Sequence, residues 1–330
     1  MIISWNTTNA CNLYCAHCYR DAGAKAAGEL STAEGKKLIT EIAAAGFKIM
    51  IFSGGEPLMR PDIYELVRHA AQCGLRPVLG SNGTLLTAES AARLKEAGAI
   101  RVGVSLDSLD QAKHDQLRGQ AGSHAAAVRG MRLCRAAGLG FQVHTTVMDW
   151  NSHEIEYLTD FSIEEKAAAH HIFFLVPTGR ATDIEQESLR AEQYESLLTR
   201  ILRKQQQVEI ELKPTCAPQF TRIAAQLNIK TRFTRGCLAG TAYCIIGPGG
   251  DVQPCAYLEL KLGNVREQSF TDIWRRNPVL AELRTQAFEG GCGACAYRKT
   301  CGGCRARAWY YHGSYMAEEP WCLYHGRRGY

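Results

Sequence analysis

The chain lacks several features that would place it in common functional classes. No apolar run approaches the length of a membrane-spanning helix, and the first residues do not read as a secretory signal peptide. Basic residues form no concentrated run and aromatic residues do not interleave with them, so nucleic-acid binding is not expected. These absences predict a cytoplasmic protein that works without a membrane or a nucleic acid. The net charge of +5 is compatible with an anionic substrate but supports one only weakly.

Cysteine, in contrast, is abundant. The chain has 14 cysteines, and without a secretory signal disulfides are not the default explanation. Eight of the 14 lie from Cys237 to Cys322 in a spaced pattern that is typical of metal ligation. Cys73 and Cys134 stand alone in predicted helices, where we interpret them as small buried hydrophobic residues.

Three cysteines near the start give the strongest signal. Cys11, Cys15 and Cys18 have the spacing C-x3-C-x2-C and are followed by Tyr19. Three thiolates can hold three irons of a cubane cluster, which leaves the last iron free for a small molecule, whereas most cluster proteins supply four cysteines. The alternatives are three buried thiols or a zinc knuckle, although zinc usually takes paired C-x2-C units and four ligands. His17, the nearest other donor, would be strained as a ligand between two cysteines.

This triplet resembles the signature of the radical S-adenosyl-L-methionine (SAM) enzymes. The resemblance implies that Cys11, Cys15 and Cys18 hold a 4Fe-4S cluster whose open iron binds SAM. Electron transfer from the cluster would cleave SAM to a 5′-deoxyadenosyl radical that abstracts hydrogen from a substrate. It also implies an electron donor such as flavodoxin or ferredoxin.

Apolar segments alternate with amphipathic helical patterns in the first half of the chain. Several segments are apolar throughout, as parallel strands covered on both faces are. Strands are predicted at 2–5, 49–52, 77–79, 102–104, 142–145 and 172–176, and helices at 31–46, 62–73, 87–97, 124–137, 152–168 and 189–204. Six strand–helix repeats predict right-handed crossovers and a parallel sheet in an α/β fold. The resemblance implies that this sheet curls into a partial (β/α)6 TIM-like barrel.

Three regions are expected along the chain. Residues 1–185 form the barrel, residues 186–234 a bridging helix and linker, and residues 235–330 a small Cys-rich domain. This last region is too rich in glycine and cysteine to bury much apolar surface, so we expect it to need metal to fold.

The ends of the predicted strands carry the candidate SAM-binding residues, because ligand sites in parallel α/β folds gather at the carboxyl ends of strands. By resemblance, the segment after the second strand binds the SAM amino group and later strand ends line the same site. The assigned residues are Gly54, Gly55, Glu56, Pro57, Asn82 and Ser105, with Arg118 facing the SAM carboxylate. A plain turn at Asn82 and a solvated Arg118 remain open alternatives.

Two further features follow the later strands. Arg180 could grip a substrate carboxylate through its planar guanidinium, with a helix-end or surface ion pair as the equal alternative. The adjacent His170 and His171 invite a metal interpretation. Neighbouring residues of a strand point to opposite faces, so we interpret both as structural.

The cysteines of the tail resemble those of the SPASM domain, which carries auxiliary iron–sulfur clusters. The resemblance implies one or two auxiliary 4Fe-4S clusters. It assigns Cys292, Cys295, Cys301 and Cys322 to one, and Cys237, Cys255 and Cys304 to the other, with Cys244 or Cys216 as a fourth ligand. Two residues, not the usual three, separate Cys301 from Cys304. A pair of structural zinc sites is the alternative.

At subgroup level the tail resembles the enzymes of heme d1 and siroheme-dependent heme synthesis, through the stretches 235–240, 263–266, 301–308 and 319–322. The resemblance implies removal or modification of propionate side chains on a siroheme-derived tetrapyrrole. The first strand starts at residue 2, and we expect no leader-binding domain before it, which disfavours a peptide substrate. A peptide or protein maturase of the sulfatase-maturing or thioether-forming type stays open, as does a noncatalytic iron–sulfur or zinc protein.

Overall fold

The structure, a computed structural model, describes residues 1–324, and within them ten strands form one sheet. The strand order is β10-β9-β8-β1-β2-β3-β4-β5-β6-β7. The strands are β1 (Ile2–Asn6), β2 (Ile49–Ser53), β3 (Arg76–Ser81), β4 (Arg101–Ser105), β5 (Gly140–Val147), β6 (Ala169–Phe174), β7 (Glu211–Thr215), β8 (Tyr243–Ile246), β9 (Asp251–Gln253) and β10 (Gly263–Asn264).

Strands β8 and β1 through β7 pair in parallel, and β9 and β10 extend the β8 edge as antiparallel strands. The helices are α1 (Thr32–Ala44), α2 (Ile63–Gln72), α3 (Ala88–Glu96), α4 (Gln111–Arg118), α5 (Ser123–Ala136), α6 (Ile155–Glu164), α7 (Ala191–Gln205), α8 (Phe220–Gln226), α9 (Phe270–Arg276), α10 (Pro278–Thr285), α11 (Gly290–Ala294) and α12 (Arg305–His312). The predicted α/β class and its partial barrel are confirmed.

The two faces of the sheet have different surroundings. On β5, Phe141, Val143 and Val147 are at most 2% exposed and belong to the core packed under the helices. Residues at the alternate positions, such as His144 and Thr146, are only partly buried. Because side chains alternate along a strand, these second positions face the inside of the curled sheet. We call this side the lumen face.

The chain between the barrel and the tail differs from the predicted linker. Residues 186–234 contain β7 and α8 besides the expected helix, and β7 continues the barrel sheet beyond β6. At the other edge β8, from the Cys-rich region, pairs with β1. Strand β7 escaped prediction because Glu211 and Lys213 alternate with Leu212, which makes a half-exposed strand look like a polar stretch.

The first predicted helix start is confirmed in detail. The Ser31 side chain accepts a hydrogen bond from the Glu34 amide at 3.3 Å, and the Glu34 carboxylate accepts one from the Ser31 amide at 2.8 Å. Arg266 from the tail pairs with the same Glu34 at 2.6 Å, which links the tail to α1. Within the described part of the chain, no helix combines the length and apolarity needed to cross a membrane.

Candidate functional site

The three N-terminal cysteines lie on the loop between β1 and α1, residues 7–31, which we call the front loop. Backbone hydrogen bonds hold this loop against the barrel. The Glu56 amide donates to the Ala10 carbonyl at 2.8 Å, and the Ala16 amide donates to the Leu117 carbonyl at 2.9 Å. The loop is therefore positioned by the segments that follow β2 and β4.

Gly54 and Gly55 make the closest of these approaches possible. A Cβ on Gly54, whose φ is +135°, would lie 2.3 Å from the Thr8 carbonyl oxygen, and one on Gly55 would lie 2.2 Å from that of Ala10. The sequence argument expected the glycines to admit a ligand. In the structure they admit the backbone of the front loop, and Pro57 then starts a short 3-10 turn, Pro57–Met59.

The thiols of the front loop form one electrostatic group. Burial is the main cause that raises the pKa of Cys11 to about 11, with smaller contributions from Glu56, Cys15 and Cys18. Burial also raises the pKa of Cys15, while the Arg118 guanidinium, 3.8 Å from its sulfur, lowers it. Three clustered thiolates need a positive partner to stay ionised, and bound iron is such a partner. The donor set thus fits a cluster with one iron left open.

Arg118 is not the solvated residue of the alternative interpretation, since it is 7% exposed. Its Nε donates to Asp107 Oδ2 at 2.7 Å, and a second nitrogen lies 2.6 Å from the same oxygen. Burial and the Arg118 charge lower the pKa of the neighbouring His17 to about 3, so this imidazole is neutral at ordinary pH. Arg118 therefore brings a compensated positive charge beside Cys15.

Glu56 is fully buried and accepts hydrogen bonds from Leu58, Ser81 and Asn82. Burial raises its pKa to about 7, because no cation is among these partners. The Asn82 amide nitrogen lies 2.9 Å from Asn12 and 4.0 Å from the Cys11 sulfur.

Ser105 joins the same edge, with its Oγ 3.5 Å from the Ser81 carbonyl oxygen. The structure thus brings the predicted SAM-site residues at the ends of β2, β3 and β4 to the front loop.

Arg180 supports the front loop instead of facing an open space. Its guanidinium stacks on Tyr14 at 3.8 Å, donates to the Cys15 carbonyl at 2.9 Å and pairs with Asp21 at 2.7 Å. The structure shows the ion-pair alternative, and the proposed grip on a substrate carboxylate would require these contacts to break.

Four thiols meet next to the barrel, three of them from the tail and one from the end of β7. Cys216, Cys237, Cys255 and Cys304 act on one another electrostatically, and we call them the inner tetrad. Cys216 follows β7 with a φ of +59°, which is uncommon outside glycine, and its carbonyl accepts from Arg307 and Tyr194. Cys244 lies fully buried on β8, and no other cysteine is among the causes of its raised pKa. The structure therefore groups Cys216, not Cys244, with the other three thiols.

A second set of four thiols lies further out. Cys292, Cys295, Cys301 and Cys322 line one pocket, and we call them the outer tetrad. Within residues 1–324, no group of three or more such donors converges closely enough to hold a single metal ion. Each tetrad is instead a set of four thiols, the ligand number that a 4Fe-4S cluster takes.

The short spacing from Cys301 to Cys304 now has an explanation. Gly302 and Gly303, at φ of +73° and +58°, turn the chain so that the two cysteines enter different tetrads. Beneath this turn Glu319, 1% exposed, accepts from the Cys304 amide at 2.5 Å.

The same glutamate touches the other tetrad and a buried cation. The Glu319 amide donates to the Cys292 sulfur at 3.3 Å. Its carboxylate pairs with Arg307 at 2.8 Å, and Arg307 is 0% exposed. This buried ion pair therefore connects both tetrads, and no residue spacing in the sequence indicated it.

Aromatic side chains fill the space between the front loop and the inner tetrad. Tyr19 donates to Asn6 at 2.9 Å, and its ring lies 5.3 Å from that of Tyr257. Tyr257 comes two residues after Cys255 of the inner tetrad. The front loop and the tail thus pack directly against each other.

Comparison with known proteins agrees with this arrangement. The sequence profile of the radical SAM superfamily matches residues 5–161, and that of SPASM, an iron-sulfur cluster-binding domain, matches residues 237–305. The crystal structure of Streptococcus suis SuiB bound to S-adenosylmethionine superimposes with a TM-score of 0.81 at 17% identity, covering 98% of this chain and 77% of that chain. At this identity the likeness shows the fold alone.

Two curated relatives match over nearly their whole length. The AdoMet-dependent heme synthase of Nitratidesulfovibrio vulgaris is 43% identical over 99% of this chain and 93% of its own. The AdoMet-dependent heme synthase of Methanosarcina barkeri is 42% identical over 98% of this chain and 96% of its own. The chain belongs to the radical SAM superfamily, in the SPASM-containing group of the heme synthases, as an enzyme that uses S-adenosylmethionine and 4Fe-4S clusters.

Proposed function

We propose that this enzyme removes or modifies propionate side chains of a siroheme-derived tetrapyrrole in heme d1 or alternative heme biosynthesis. One observation carries the proposal: the similarity to AdoMet-dependent heme synthases extends over 99% of the chain, so it includes the tail as well as the barrel. The substrate follows from that similarity, whereas the reaction type follows from the front loop.

The front triplet of cysteines and the two tetrads have separate roles in this proposal. Cys11, Cys15 and Cys18 hold the cluster that binds SAM, and the two tetrads hold auxiliary clusters. A cluster held at Cys11, Cys15 and Cys18 would supply the electron that cleaves SAM, and with it a radical that takes hydrogen from the substrate. An external donor such as flavodoxin or ferredoxin supplies that electron.

The neighbouring residues position this chemistry. Arg118 stabilises thiolate at Cys15 through its charge, and Asp107 keeps the guanidinium in place. The segment after β2, residues 54–57, would bind the SAM amino group. Because Glu56 already accepts three protein donors, its part is to hold the ends of β2 and β3 together.

The deciding experiment measures 5′-deoxyadenosine from anaerobically reconstituted enzyme with SAM and a reductant. We expect didecarboxysiroheme or an iron coproporphyrin to raise its release well above the substrate-free level, together with loss of carboxyl groups from the tetrapyrrole. A panel of cysteine-containing peptides serves as the comparison. Release that responds to a peptide and not to any tetrapyrrole would replace this proposal with the maturase alternative.

A further inference from the structure

Four polar side chains form a row across the lumen face. Ser105 on β4 pairs in register with His144 on β5, His144 with His171 on β6, and His171 with Lys213 on β7. Residues paired in register in parallel strands point to the same face. All four are partly buried. The residues directly before and after each of them on its strand are buried and face the helix-covered side of the sheet.

The row joins the two ends of the reaction site. At one end Ser105 belongs to the predicted SAM-binding edge, and Arg118 is near enough to help lower the pKa of His144. At the other end Lys213 interacts electrostatically with Cys216 of the inner tetrad. A substrate lying along the row would therefore reach both the SAM site and an auxiliary cluster.

The middle of the row holds two parallel, uncharged rings. The imidazoles of His144 and His171 are stacked, with ring centres 5.4 Å apart and planes 9° from parallel. Burial lowers the pKa of both rings, so they are neutral. Gly103 makes room for this arrangement, because a Cβ there would lie 2.2 Å from the His144 ring.

Lys213 is the exception in the row, because its side chain is basic: burial lowers the pKa of its ammonium group, and the Glu211 carboxylate acts in the opposite direction. Within residues 1–324 its ammonium group makes no hydrogen bond or ion pair, and it lies 5.0 Å from the Phe233 ring. The nearby carboxylate of Glu211 is engaged by His171 at 3.1 Å. His170, by contrast, points to the opposite face and bonds to Thr159 and Thr145. A partly buried ammonium group that has no hydrogen-bond acceptor in the lumen can take an anion as its acceptor.

We propose that this row is the tetrapyrrole-binding face, with the macrocycle against the His144–His171 pair and a substrate carboxylate on Lys213. The inference rests on the proposed function and names the residues that hold its substrate. A carboxylate would offset the free-energy cost of keeping Lys213 desolvated. A second propionate of the same macrocycle would then lie near the Ser105 end of the row. Recognition is thus by charge at one end and by a planar surface in the middle.

The test compares Lys213→Met and Lys213→Arg with the unchanged holoenzyme. The probes are an iron coproporphyrin and its derivative in which the propionates are converted to amides. We expect Lys213→Met to weaken binding of the acid form about tenfold or more, as loss of a charged hydrogen bond does, and to leave the amide form unaffected. Lys213→Arg should keep most of the affinity. In Lys213→Met, KM should rise more than kcat falls.

Lys37→Met serves as the matched control, because Lys37 is 74% exposed on the outer helix α1. Iron content and circular dichroism establish that each variant is folded. If Lys213→Met binds the acid form as tightly as the unchanged enzyme, or loses equal affinity for both probes, the inference is wrong. If the unchanged enzyme binds neither probe and releases no 5′-deoxyadenosine with any tetrapyrrole, the proposed function itself fails.

Discussion

The front loop and the tail use the same thiol ligand in opposite structural settings. The front loop presents three cysteines and is fixed by backbone hydrogen bonds to the segment after β2 and to α4, and by Arg180. The tail, with the end of β7, presents eight cysteines in two tetrads, held by short helices, glycine turns and one buried ion pair. The barrel therefore positions the front site, whereas the tail positions its thiols with short elements of its own that pack on buried apolar side chains such as Phe270, Trp274 and Leu280.

The largest expected effect distinguishes generation of the radical from its use. We expect Cys15→Ala to abolish 5′-deoxyadenosine release, because two thiols cannot hold the SAM-binding cluster. The tail clusters should persist, since their eight ligands are unchanged. Electron paramagnetic resonance of the reduced protein with and without SAM measures both effects. Cys73→Ala, which changes a half-buried thiol at the C-terminal end of α2, is the control. SAM cleavage by Cys15→Ala would contradict the assignment.

A second prediction separates the two candidates for the last inner-tetrad ligand. Cys216→Ser should lose the iron of one auxiliary cluster while SAM cleavage without substrate continues. Cys244→Ala should keep the full iron content, because Cys244 lies in the apolar core away from the tetrad. Iron analysis and electron paramagnetic resonance of both variants decide between them. The reverse pattern would return Cys244 to the ligand set.

The sequence predicted much of this arrangement, and its failures have physical causes. Spacing identified the front triplet, and apolar periodicity identified β1 through β6. The sequence could not favour Cys216 over Cys244 as the last inner-tetrad thiol, because neither stands in a C-x2-C pair. Cys216 joins the tetrad through its place at the end of β7, which only the structure shows. Arg180, Glu319 and the lumen row depend on contacts between distant segments, and such contacts leave no local pattern. Sequence therefore located the chemistry, whereas tertiary structure located its supports.

The ion pair beneath the two tetrads should dominate the stability of the tail. Glu319→Ala leaves Arg307 buried without a counter-charge, which costs about 3–5 kcal/mol of unfolding free energy. Urea unfolding of the anaerobic holoprotein, followed by circular dichroism, gives this value. Glu89→Ala, which removes the exposed ion pair with Arg93 on α3, should cause almost no change. Equal effects of the two substitutions would show that the tail does not depend on this pair.

The two regions also differ in how their buried carboxylates are balanced, and this predicts a pH dependence. Glu319 has Arg307 beside it, whereas Glu56 has only neutral donors, and burial raises the pKa of Glu56 from 4.5 to about 7. The folded chain then keeps a proton that the unfolded chain has lost. Stability should therefore fall as pH rises from about 4.5 to about 7, by up to about 1.4 kcal/mol per pH unit, and level off above that range.

Glu56→Gln should remove this fall, because its amide does not titrate, whereas the exposed Glu65→Gln should leave it unchanged. Unfolding free energies measured from about pH 5 to about pH 8 give the difference between each variant and the unchanged protein. If the unfolding free energy of the unchanged protein minus that of Glu56→Gln stays flat, or rises with pH, Glu56 is ionised in the fold. Saturating SAM is expected to shrink the difference, since a cation bound near Glu56 favours the carboxylate and lowers its pKa. Such a shift would tie the unbalanced carboxyl of Glu56 to the ligand that the front loop is built to hold.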